Sequence, residues 1–92
     1  NVSRAEQDQF AFDSHQKAVA AIKNGVFKNE IIPVNALSKD GKVSLVDTDE
    51  GPRADVSLEK LATLKPVFKA DGSVTAGSSS PLTDGASATL LM

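Results

Sequence analysis

The chain has 92 residues, a formal net charge of −2, and 24% charged residues with both signs interspersed. That suffices for one small domain with a thin core, because a short chain buries a small fraction of its surface. Cysteine is absent and the only aromatics are four phenylalanines, which excludes a disulfide framework, a thiolate metal site and a cysteine nucleophile within these residues, and speaks against a base-stacking nucleic-acid surface.

At 40% hydrophobic the composition is that of a folded chain. No apolar run approaches the roughly 20 residues needed to span a bilayer. A small bridged secreted module is disfavoured, so a reducing interior compartment is expected. The first residue is Asn1 rather than Met, and the reading is of a piece of something longer.

The opening stretch, "NVSRAEQDQFAFDSHQKAVAAIKNG", predicts a helix over 3–24. Ser3 followed by Glu6 is a capping box, in which each side chain satisfies a free first-turn N–H. Phe10, Ala11, Ser14, Ala18, Ala21 and Ile22 recur at helical spacing as a narrow stripe of mostly small residues. Gly25 stops the helix, and Lys23 suits its negative end.

Next, Ile31, Ile32 and Val34 favour extended structure, with Pro33 confining it to an edge strand. Asp40-Gly41 marks a turn before alternating Val43 and Leu45. Asp47, Asp49 and Glu50 form an acidic surface loop. They lack the glycine and closing glutamate of a calcium loop. A second helix begins at Ser57 and ends near Lys65, since Pro66 disfavours helical geometry before it. Leu58, Leu61, Ala62 and Leu64 share one face. Beyond Asp71-Gly72 come a small-residue loop, "TAGSSS", and a closing apolar run, Ala86–Met92, read as a strand without a visible partner. Two helices and three or four strands make an α/β fold.

Among candidates for chemistry, the small-residue loop is either a flexible connector or a place where backbone approaches a ligand closely. It lacks the Gly-Lys-Ser/Thr ending of a phosphate loop. His15, the only histidine, has no partners at metal-ligand spacing and reads as a helical surface residue. Arg53, Lys60, Lys65 and Lys69 are either a solvated face or a site for an anionic ligand with one strong Arg contact. On the residues alone, the chain is a small α/β domain of unknown role, and a stand-alone α/β interaction module with no catalytic role is the alternative reading.

The wording of the chain resembles the thiolase family. "SRAEQDQFAFDSHQKAVAAIKNGVFKNEIIPV" is similar to the family's S-R-x-x-Q-D-x-F-A-x-x-S-H-x-K/R-A followed by F-x-x-E-I-x-P-V. "LEKLATLKPVFKADGSVTAGSSSPLTDGASATLLM" is similar to L-x-x-L-A-x-L-K/R-P-A-F followed by G-T-V-T-A-G-N and D-G-A. The D-E-G-x-R stretch at Asp49–Arg53 lies between them. Pro81-Leu82-Thr83-Asp84 is closer to the fatty-acid-degrading branch.

The resemblance implies a fragment of the thiolase fold. Residues 1–72 would be the loop domain that covers coenzyme A, with two helices and short strands. Residues 73–92 would be a strand returning into the N-terminal core domain. It implies a parent enzyme, an acyl-CoA C-acyltransferase that cleaves 3-ketoacyl-CoA or condenses acyl groups through an acylated cysteine. The family's nucleophile would precede Asn1, its histidine and second cysteine would follow Met92, and no catalytic residue would lie in this chain. The implied ligand is coenzyme A, as substrate, without a metal. Carried over one by one, Arg53 would pack by the adenine, Phe68 would form an apolar wall for the pantetheine, Ala76 would let it pass, and Ser80 would contact its amide. Lys60 departs from a serine found in some members, and Ser78 from the common asparagine. Implied partners are the acyl-CoA, the remainder of the thiolase chain, and further copies or the other subunit of a fatty-acid oxidation complex. The implied compartment is the cytoplasm, or the mitochondrion or peroxisome in a eukaryote.

Overall fold

The computed structural model describes residues 1–92. Its elements are α1 (Arg4–Lys23), β1 (Val34–Leu37), β2 (Val43–Val46), α2 (Leu58–Thr63) and a single 3₁₀ turn, Ala76–Ser78.

Helix α1 starts as its capping box dictates. The Ser3 hydroxyl accepts from Glu6 N–H at 3.2 Å, and the Glu6 carboxylate accepts from Ser3 N–H at 2.8 Å. The Ser3 N–H bond, then the Ser3 hydroxyl, hold the Glu6 carboxyl below its ordinary value of 4.5. At the other end Gly25 takes φ +71°, a conformation that costs glycine little.

Strands β1 and β2 form an antiparallel pair, with Val34 opposite Val46 and Leu37 opposite Val43. Gly41 N–H donates to Ser38 C=O at 3.0 Å, and Ser38 N–H to Lys42 C=O at 2.8 Å. With Gly41 at φ +84°, this is a three-residue hairpin closed by a glycine in the left-handed region. The Asp40 carboxylate accepts from the Ser38 hydroxyl, which lowers its pKa. Pro33 sits just before β1, where its missing N–H breaks no ladder.

Helix α2 is capped by Ser57, whose hydroxyl accepts from Lys60 N–H at 3.2 Å. It is a six-residue element that ends at Thr63, with Leu64 already extended at ψ 134°. Leu61 is buried and Leu64 half-buried, whereas Leu58 and Ala62 are exposed.

Two expectations need correction. The closing run Ala86–Met92, the expected returning strand, forms no strand. A strand exists through ladder partners, and β1 and β2 pair only with each other. The α1 stripe also holds only in part, at Ala11, Ala18, Ala21 and Ile22. Phe10 and Ser14 are exposed, and the inward face runs through Arg4, Asp8, Ala11, His15, Ala18 and Ile22. That face carries polar side chains because α1 packs against α2 and the 3₁₀ turn near their polar backbone ends.

Candidate functional site

The junction of α1, α2 and the small-residue loop is held by side chains from the first two turns of α1. Arg4 Nε donates to both carboxylate oxygens of Asp8 at 3.1 and 3.0 Å. Its Nη2 donates to the carbonyls of Leu61 and Leu64 at 2.7 and 2.9 Å. Those carbonyls lie at the C-terminal end of α2, where free acceptors and the helix dipole favour a cation. The Asp8 side chain is 7% exposed, so its charge depends on Arg4 for compensation. Gln7 Nε2 donates to Val2 C=O and to the Ser73 hydroxyl, both at 3.0 Å. That second bond ties α1 to the segment entering the loop.

The loop then closes on itself. Thr75 is fully buried. Its N–H donates to the Ser78 hydroxyl at 3.3 Å, and its C=O accepts from the Ser79 hydroxyl at 2.8 Å. Ser78 thus works inside the loop at the position where the sequence departs from asparagine. None of these loop bonds uses Ser80. A Cβ on Gly77 would come within 2.5 Å of Leu61 Cδ2 and 2.8 Å of Leu64 Cδ1. Glycine is what lets the loop lie against α2.

Beside this junction runs an open cleft of about 870 Å³, lined among others by His15, Arg53, Lys60, Ala76 and Ser80. Three of the four residues singled out from the sequence, Arg53, Ala76 and Ser80, therefore share one cleft. Phe68 does not. It is 82% exposed and lines a separate hollow with Pro66, Lys69 and Val74.

The cleft carries charge of both signs, from Arg53 and Lys60 and from Glu50 and Asp55. Arg53 Nε lies 3.7 Å from Asp55 Oδ1 and Lys60 Nζ 3.8 Å from Asp55 Oδ2. Lys60 Nζ also donates to the Asp55 carbonyl at 3.2 Å. These exposed pairs are weak, so both cations can turn to an incoming anion at little cost. Of the cations that the sequence groups with Arg53, Lys60 lies in the cleft alongside it, whereas Lys65 and Lys69 do not line it.

His15 joins the two sides. Its Nδ1 accepts from the backbone N–H of Arg53 at 3.1 Å, across 38 residues of sequence. A neutral imidazole with Nδ1 as acceptor carries its proton on Nε2. In that state the ring is no base for the nearby serines, and no nucleophile–base pair forms. The cleft can bind.

Known proteins bear on this arrangement. The family described as "Thiolase, N-terminal domain" matches residues 1–92. A probable acetyl-CoA acyltransferase of Staphylococcus epidermidis is 53% identical over 99% of this chain and 23% of its own length. An acetyl-CoA acetyltransferase of Pseudomonas aeruginosa is 54% identical over the same shares. Among solved structures, the Bacillus anthracis acetyl-CoA acetyltransferase superposes with a TM-score of 0.81 at 47% identity, over 88% of this chain and 20% of that one. The dimeric peroxisomal thiolase of Saccharomyces cerevisiae does so with 0.70 at 44%, over 83% and 19%. The chain thus spans about a quarter of the length of the relatives it matches. A family match over every residue, with a fold shared at this level of identity, leaves one conclusion: the chain belongs to the thiolase N-terminal domain family.

Proposed function

We propose that this chain is the coenzyme A-covering part of a thiolase, an acyltransferase that moves acyl groups between CoA thioesters. Residues 1–72 form the cover, and 73–92 lead back to the core. The reading rests most on one observation: a cleft that gathers Arg53, Lys60, Ala76 and Ser80, with the two cations beside Asp55 and Glu50, and with small residues from the 76–80 loop in its lining. CoA is a polyanion at its nucleotide end and a narrow amide chain at the other. Arg53 and Lys60 suit the first, with the planar guanidinium also able to stack on an adenine. Ala76 and the Ser80 hydroxyl suit the second, by leaving room and offering a donor or acceptor to an amide. Phe68, outside the cleft, is the candidate this arrangement supports least.

The chain contributes binding and positioning rather than bond making. It contains no cysteine and its one histidine is engaged with Arg53. The acylated sulfur would come from the rest of the enzyme. Multiple copies and an acyl-CoA substrate complete the proposal.

The test is kinetic, on the complete enzyme carrying this chain. Arg53→Ala and Ala76→Leu should each raise KM for acetoacetyl-CoA about ten-fold or more while changing kcat little, the mark of lost uniform binding. Unchanged KM in both variants would rule out this cleft as the CoA site.

A further inference from the structure

We infer that His15 is a positioning residue for the ligand cleft, acting through Arg53; the inference rests on the CoA reading above. Arg53 belongs to a loop with no regular structure, and its side chain is 71% exposed. Its only charge partner, Asp55, lies on the same loop and reaches through Lys60 only to α2, the next element in the chain, so it does not fix the loop to α1. The bond from Arg53 N–H to His15 Nδ1 does so. It ties Arg53 directly to the middle of a 20-residue helix whose start is already fastened to α2 by Arg4.

The geometry explains why a histidine serves here. The side chain must reach from the helix face to a backbone N–H and present an acceptor there. Nδ1 stands close to the ring's root, near the place of an asparagine Oδ1. An alanine leaves the N–H without its partner and the loop free to sample other arrangements, so Arg53 must be ordered by the ligand itself. An exposed bond of this kind corresponds to a change of about three- to ten-fold in affinity.

The experiment is a double-mutant cycle in the complete enzyme, read as KM and kcat for acetoacetyl-CoA and for the corresponding pantetheine thioester, which lacks the nucleotide. His15→Ala should raise KM for the CoA thioester about three- to ten-fold, with kcat nearly unchanged and the pantetheine thioester unaffected. Arg53→Ala should do at least as much, and the double variant no more than Arg53→Ala alone. His15→Asn should restore most of the loss by supplying an acceptor at the same place. If Arg53→Ala raises KM but His15→Ala does not, or the two effects multiply, His15 does not act through Arg53 and the inference fails while the CoA reading stands. Failure of His15→Asn to restore binding overturns the inference equally. If Arg53→Ala leaves KM for the CoA thioester unchanged, the CoA reading falls and the inference with it.

Discussion

The guanidinium of Arg4 faces Asp8 with one edge and the last carbonyls of α2 with another. No lysine can reproduce this. A single ammonium at the end of a flexible stem can meet the carboxylate or the carbonyls, but lacks the fork that spans both. Arg4→Lys should therefore loosen α2 locally, by about 1–3 kcal/mol for the orphaned acceptors. Amide hydrogen exchange at Leu61 and Leu64 is the measure, with an acceleration of about ten-fold or more expected. Exchange as slow as in the parent would show that α2 is held by its leucines alone. Gly77 belongs to the same argument. The loop can lie on Leu61 and Leu64 only because no Cβ intervenes.

At the scale of elements, α1 depends on a cap that titrates. Glu6 has a lowered pKa because its charged form accepts from Ser3 N–H. A group lowered in the folded state adds stability above its unfolded value, here 4.5, and loses it as the pH falls through the lowered one. Helical circular dichroism should hold steady above that point and decline on acidification below it. Glu6→Gln keeps the reciprocal bond without the charge, so its α1 should show a flatter acid profile. An identical acid profile in both would remove Glu6 from the account.

This cap was legible in the sequence, as were the Ser57 cap, the Gly25 stop and the Asp40-Gly41 turn. All are decided by residues within four positions of one another. What spans the chain was not legible. Arg4 reaches Leu61 and Leu64, Gln7 reaches Ser73, and His15 reaches Arg53, over 38 to 66 residues. In the stripe on α1, Ala11, Ala18, Ala21 and Ile22 lie inward as expected, whereas Phe10 and Ser14 were misplaced for the same reason. The helix turns Arg4 and His15 inward toward distant polar partners, with Asp8 held beside Arg4, and hydropathy alone assigns those residues to water. The closing run illustrates the limit from the other side. Its composition suits a strand, but a strand needs a neighbour, and none within the chain takes that place.

The whole molecule is expanded. Its radius of gyration is 16.9 Å, against about 12 Å for a compact domain of this length. Its accessible surface is 8223 Å², against about 5,100 Å² for a compact monomer of this mass. Phe10, Ile32, Phe68, Leu82 and Leu90 are each about four-fifths exposed or more. At about 25 cal/mol per Å² of apolar surface, such faces favour a covering. A chain that forms one wall of a larger enzyme would have this shape, with a cleft completed from the other side. The most direct measurement is a crystal structure of the complete enzyme with coenzyme A bound. The adenine should lie against Arg53, with a phosphate near Lys60 and the pantetheine running past Ala76 and Ser80. Coenzyme A bound elsewhere, with this cleft filled by solvent or by protein, would contradict the account.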